Sequence, residues 1–269
     1  MTLRLVATDL DGTLLRGDLT TSPRTRAALD AARRAGVLVV PVTARQPIGV
    51  RHIAEDAGFD EWAICSNGSL GIHLTTGEVL FEEPIAVGAQ QRLVAALAER
   101  VPGLLHVSVR DGGEGFVAQE GYAALASFED HKRDVSTMGG VALAEVLAEP
   151  SLKLVVRHPE IGVPELLEAA RALGHDDVAV THSGAPFLEV MAAGVDKAWG
   201  VARLCERLGI DRDEVVAFGD APNDVELLAW AGHGVAVANA VPEAREVADE
   251  VTAGNEDDGV ALVLERLLA

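Results

Sequence analysis

Aromatic residues make up only 4% of this chain while apolar residues of all kinds make up 49%, so Ala, Val and Leu must do most of the packing. Cysteine is nearly absent. The two present, Cys65 and Cys205, have no metal-type spacing and sit in apolar segments, which reads as buried free thiols in a reducing compartment. Positive charge is scarce as well, with 22 bases against 42 acids and a formal net charge of −20. That balance repels phosphate backbones and anionic lipid, so neither nucleic acid nor a membrane is expected as a partner. A small anionic ligand stays compatible, provided a few bases are placed locally. No apolar run is long enough to span a bilayer, and MTLRLVATDLD meets charge too early for a signal peptide, so a cytoplasmic protein is expected. A glycine-rich dinucleotide loop is missing too: Gly112-Gly113-Glu114-Gly115 lies between strand-like segments and opens no helix.

What is present is an alternation of strand and helix patterns over 269 residues, a length that suits one large domain with an insertion or two unequal domains. LRLVATDL reads as a buried strand, and Ser22-Pro23 caps a helix over TRAALDAARRAG. VLVVPVT, the helix QPIGVRHIAEDAG and the strand WAICSNG continue the βαβαβ rhythm of a doubly wound parallel sheet. From about Glu82 the strands alternate apolar with polar residues, as in a sheet with one wet face, and helices fall between them. The parallel pattern returns with AWGVARLCERLG, EVVAFGD, DVELLAWAG and GVAVAN. The expected fold is therefore α/β: a Rossmann-like core over 1–82 and 190–269, with an α+β module inserted at 83–189.

Polar residues collect where the parallel strands end. Asp9 and Asp11, in DLDGT, are two apart and so would point to one side of an extended chain, a costly pairing unless a cation joins them. A hard cation such as Mg²⁺ would offset that repulsion and leave a nucleophile beside an acid/base. Thr43-Ala44-Arg45 ends the second strand, where the Thr43 hydroxyl and the following N–H groups suit a phosphate oxygen. Ser66-Asn67 ends the third strand. Lys197 in GVDKAWG stands out because the chain uses 19 arginines and only three lysines, the others being Lys132 and Lys153. GDAPND puts Asp220, Asn223 and Asp224 after another buried strand, with Asp220 a natural second carboxylate for the same metal. Taken singly, each has an ordinary reading: an Asp-Gly turn, a helix cap, a solvated lysine, a capping loop.

Taken together, DLDGTLL, Thr43, Lys197 and GDAPNDVELL resemble the four motifs of the haloacid-dehalogenase-like (HAD) superfamily of phosphohydrolases. The inserted module, Ser66-Asn67-Gly68, GVDK and AGHGVAVANA make the chain similar to its Cof-type subfamily, which carries a large α/β cap. Ala198, Leu228 and Ala238 replace a usual Gly, Met and Gly. The resemblance implies a Mg²⁺-dependent phosphatase acting on small phosphorylated metabolites, sugar phosphates or related monoesters, through an aspartyl phosphate. It implies Asp9 as nucleophile and Asp11 as acid/base. The metal would be held by Asp9, Asp220 and the Asp11 backbone carbonyl, with Asp224 orienting a metal-bound water or the lysine. Thr43, Arg45, Asn67, Lys197 and Asn223 would serve the phosphate. A phosphomutase would use the same residues. A receiver-type signalling domain needs no inserted cap, and a regulatory protein without chemistry would not need every catalytic position filled. Within the module, Arg110, Asp130, His131, Lys132, Arg133 and His158 are polar candidates for substrate contact. A monomer or a small homo-oligomer is expected.

Overall fold

The computed structural model describes residues 2–269. The chain opens with β1 (Leu5–Thr8), α1 (Pro23–Arg34), β2 (Leu38–Pro41), α2 (Pro47–Ala57), β3 (Trp62–Cys65), β4 (Leu70–His73) and β5 (Val79–Glu82). The middle holds α3 (Val87–Arg100), β6 (Leu105–Arg110), β7 (Gly115–Ala118), α4 (Phe128–His131), α5 (Leu143–Val146), β8 (Lys153–Arg157), α6 (Val163–Arg171), β9 (Val178–Thr181) and β10 (Leu188–Ala192). The return consists of α7 (Lys197–Leu208), β11 (Val215–Gly219), α8 (Val225–Trp230), β12 (His233–Ala236), α9 (Pro242–Val247), β13 (Glu250–Val251) and α10 (Gly259–Leu267).

The core sheet runs β13-β12-β11-β1-β2, parallel throughout. Its strands alternate between two apolar layers. Val6 packs with α1, α2 and α10, whereas Leu5 and Ala7 pack with α7, α8 and α9. Helices on both faces explain why these strands read as unbroken apolar runs. The second sheet, β7-β6-β8-β10-β9, is antiparallel and has a separate core on α3 and α6. This is the doubly wound core with an inserted α+β module that the pattern predicts. Residue 190, expected to begin the returning core, lies inside β10, which pairs with β8 and β9 of the second sheet.

WAICSNG departs from expectation. Rather than extending the parallel sheet as a full strand, β3 pairs antiparallel with β4, and β4 with β5. It touches β2 through one parallel bridge, Val42 to Ile64, with the Thr43 N–H donating to the Ile64 carbonyl at 2.9 Å. The physical reason is Pro41. Alternate residues donate to opposite sides of a strand, so Pro41 would serve the same side as Thr43, and it has no N–H to give.

Candidate active site

The parallel register that sets Thr8 beside Phe218 brings Asp9, just past β1, and Asp220, just past β11, to one sheet edge. The Asp9 N–H donates to the Phe218 carbonyl at 3.0 Å, which fixes where its side chain starts. Lys197 comes to this edge as the first residue of α7, capped by Asp196, whose carboxylate accepts from the Trp199 N–H at 2.8 Å. The turn after β3 packs against that helix start. Gly68 has φ +101°, and a Cβ there would lie 1.9 Å from the Asp196 carbonyl oxygen, so only glycine allows the approach. Ser66 and Asn67 both take left-handed backbone angles, φ 51° and 57°, a costly arrangement for residues with side chains.

Lys197 is not solvated. It is 0% exposed, and its Nζ lies 2.6 Å from Asp9 Oδ1 and 2.6 Å from Asp224 Oδ1. The second oxygen of Asp224 accepts from the backbone N–H groups of Asp220 and Ala221, both at 3.0 Å, so Asp224 ties the lysine to the loop after β11. Thr13 donates to Asp220 Oδ1 at 2.6 Å. Carboxylate oxygens of Asp9, Asp220 and Asp224 all lie within 4.8 Å of one another.

One ammonium against three carboxylates leaves an excess of negative charge, and the titration behaviour reflects it. Burial pushes Asp9 well above the usual carboxylate range, and Asp224 and Asp220 add to this against the pull of Lys197. Asp220 is pushed up to about 6 by burial and by Asp224. Burial opposes charge on Lys197, but Asp224 and Asp9 outweigh it and raise the lysine above its ordinary value, so it is an ammonium. An all-oxygen donor set in this state fits a hard divalent cation, and Asp9, Asp220 and Asp224 are the residues that could hold one. The Asp11 carboxylate lies outside this cluster.

Asp11 is instead gripped by Arg45, whose Nε lies 2.6 Å from Asp11 Oδ2 while a second guanidinium nitrogen meets Oδ1. Arg45, expected at the phosphate, is thus placed on the acid beside it. The Asn223 side-chain N–H donates to Asn67 Oδ1 at 2.9 Å, which brings these two together, and Thr43 Oγ1 accepts from the Arg45 N–H at 3.1 Å.

A cavity of about 210 Å³ separates this edge from the inserted module. Asp9, Asp11, Thr43, Arg45 and Asn223 form its floor, and Asp130, His131, Lys132, Lys153, Phe187 and Glu189 are among the residues of its opposite wall. Of the expected module residues, Asp130, His131 and Lys132 reach it. Arg110 does not: it is buried against Glu149 and two backbone carbonyls. Arg133 lies over the Phe116 ring, and His158 bonds the Pro102 carbonyl. Lys153 and Glu189 were missed. The scarcity of lysine that singled out Lys197 applied equally to Lys153, and Glu189 is an acid inside an apolar strand. Thr13 was missed because a threonine after Asp-Gly reads as part of the turn. Both cysteines are buried and free, with thiols pushed up to about 12 for Cys65 and about 11 for Cys205, as the sequence suggested.

The chain was compared with known proteins. The family model of haloacid dehalogenase-like hydrolases matches residues 6–264. A phosphatase of Bacillus subtilis, YwpJ, is 28% identical over 99% of this chain and 100% of its own. The pyridoxal phosphate phosphatase YbhA of Escherichia coli is 28% identical over 97% of each chain. A haloacid dehalogenase-like hydrolase from Bacteroides thetaiotaomicron superposes with a TM-score of 0.76 at 27% identity, covering 98% of this chain and 99% of that one. The resemblance read from the motifs is borne out, and the chain belongs to the haloacid dehalogenase-like hydrolase family.

Proposed function

We propose that this hydrolase is a Mg²⁺-dependent phosphatase that releases phosphate from small phosphorylated metabolites, such as sugar phosphates or related monoesters. The observation that carries the reading is a single one: Asp9 faces the cavity while its other side is held by a buried ammonium and crowded by two further acids. Mg²⁺ at Asp9, Asp220 and Asp224 would supply the positive charge that this excess of carboxylate lacks and that a transferring phosphoryl group needs.

The chain's own residues divide the remaining work. Lys197 keeps an Asp9 oxygen in place and offsets charge as the phosphoryl group arrives. An Asp9 oxygen attacks phosphorus, the ester P–O bond breaks, and Asp11 gives its proton to the departing oxygen. Water then attacks the phosphorylated Asp9, Asp11 takes the water's proton, and inorganic phosphate leaves. Arg45 holds both Asp11 oxygens as a carboxylate in this structure, so that pairing has to loosen when Asp11 carries the proton to the departing oxygen. Thr43 and Asn223, which line the cavity, would hold phosphate oxygens, with Asn67 accepting from Asn223 behind them. The inserted module, from 83 to the end of β10, is proposed as the cap that selects substrate.

Phosphate release from p-nitrophenyl phosphate and a panel of sugar phosphates, with Mg²⁺ and with EDTA, tests the reading. Turnover with Mg²⁺ that disappears in EDTA is expected. Turnover undiminished by the chelator contradicts the metal, and isomerised product in place of released phosphate contradicts hydrolysis.

A further inference from the structure

The cap-side wall of the cavity holds a buried ion pair outside the motif residues. Glu189 on β10 is 1% exposed, and its Oε1 takes the Lys153 Nζ at 2.6 Å. Lys153 projects from β8, and the same Nζ donates to the Ala44 carbonyl at 2.7 Å. Ala44 lies between Thr43 and Arg45, so this lysine joins the cap to the loop proposed to bind phosphate. Burial works against the charge on Glu189, and Lys153 outweighs it, holding the carboxyl below its ordinary value.

The other oxygen, Glu189 Oε2, makes no hydrogen bond of normal geometry among the described residues, although the Ser183 hydroxyl and the Asn67 amide lie near enough to add to the lowering that Lys153 causes. A buried carboxylate oxygen without a donor is costly, and here the residue lines a cavity that something can enter. The other charged groups of this wall are already engaged. Lys132 bonds Glu129 at 2.6 Å, and Asp130 accepts from Arg157 at 2.8 Å. His131 adds no charge, because burial lowers its pKa to about 3, and its Nε2 is 2.8 Å from the Tyr122 hydroxyl.

Building on the phosphatase reading, we infer that Glu189 is a specificity-determining residue, its Oε2 accepting a hydrogen bond from a hydroxyl on the leaving group of the phosphate ester. A hydroxyl fits better than a cationic donor, since Lys153 already balances the carboxylate and would repel a second cation in the same buried volume. A second anionic group would meet the uncovered carboxylate oxygen and be repelled. Lys153 acts as a positioning residue: the carboxylate that takes the hydroxyl also holds the ammonium that grips the Ala44 carbonyl. Recognition of the leaving group is thereby linked to the loop at the opposite end of the substrate.

The test compares glucose 6-phosphate with n-hexyl phosphate, an ester of equal carbon number that lacks the hydroxyls, and reads the ratio of kcat/KM for the two. Damage to the fold lowers both values together and leaves the ratio alone. Glu189→Gln exchanges the charged acceptor for a neutral donor, because Lys153 can only donate and so claims the amide oxygen, turning the NH₂ into the cavity, where a hydroxyl can at best accept a weaker, neutral hydrogen bond. Glu189→Asp keeps the charge that Lys153 needs but withdraws it by one methylene, which guards against a Gln variant that fails to fold. The wild type is expected to favour the hydroxylated ester, and the ratio to fall at least about tenfold in the Gln variant and also in the Asp variant, the scale of a hydrogen bond to a charged group. A ratio unchanged in either folded variant, or no preference in the wild type, overturns the inference while leaving the phosphatase reading intact. A wild type that releases phosphate from no ester, p-nitrophenyl phosphate included, overturns that reading and the inference with it.

Discussion

Two of the three lysines in this chain are buried, Lys197 behind Asp9 in the core and Lys153 in the cap-side wall of the cavity that Asp9 lines. Lys197, in the core, serves Asp9 and Asp224 with Asp220 close by, so acid outnumbers base. Lys153, in the cap, serves Glu189 alone and spends a further N–H on a backbone carbonyl. Both are lysine–carboxylate contacts of 2.6 Å, yet only the core side keeps a surplus of negative charge. A balanced pair can hold two pieces of protein in register. An unbalanced cluster invites a further cation and keeps its carboxylates poised for chemistry.

The largest effect is expected where the reacting oxygen is removed. Asp9→Asn keeps the shape but leaves a far weaker nucleophile, and kcat for p-nitrophenyl phosphate should fall by at least about 10⁴-fold. Lys197→Met comes next: with Asp9 and Asp224 left uncompensated, kcat should fall about 10³-fold, and urea unfolding should show a loss on the order of 3–5 kcal/mol. Lys153→Met breaks the balanced pair instead. It touches no reacting atom, so kcat/KM for a sugar phosphate should fall only about 10–100-fold. If it cost as much kcat as Lys197→Met, the contrast between the two sides would collapse.

The smallest effect concerns the neutral part of the cap wall. His131 is buried with its pKa lowered to about 3, whereas the unfolded chain would protonate it near 6.5. Between those values the unfolded state binds a proton that the folded state refuses. The stability from a neutral His131 is therefore complete above about pH 6.5 and is lost as pH falls toward 3. The slope is about 1.4 kcal/mol per pH unit at most. His131→Gln should flatten this part of the profile relative to wild type in denaturant titrations from pH 7 to 4.5. Parallel profiles would show that the ring is protonated in the folded state.

Much of the core was legible because its chemistry is local. Asp9, Asp11, Asp220 and Asp224 lie at the ends of apolar runs that can only be buried strands, and a parallel sheet gathers such ends by its topology. Pairings across the sequence were not legible. Nothing in a run of letters shows that Arg45 turns to Asp11, 34 residues away, or that Lys153 meets Glu189, 36 residues on. The β4–β5 hairpin went unread because LGIH and VLFE are each four residues long, too short for a period-2 pattern to stand out. The end of the cap at β10 was obscured for a related reason: LEVMA carries no mark of the sheet it joins, and its partners β8 and β9 decide that.

Calorimetric titration of the metal-free protein with Mg²⁺ at neutral pH tests the central contrast most directly, because it reads the core's surplus charge without any substrate. The account predicts one ion bound per chain, with affinity reduced at least tenfold in Asp220→Asn, which removes one carboxylate and leaves both lysine pairs intact. Absence of binding to the wild type, or undiminished binding in Asp220→Asn, would contradict it.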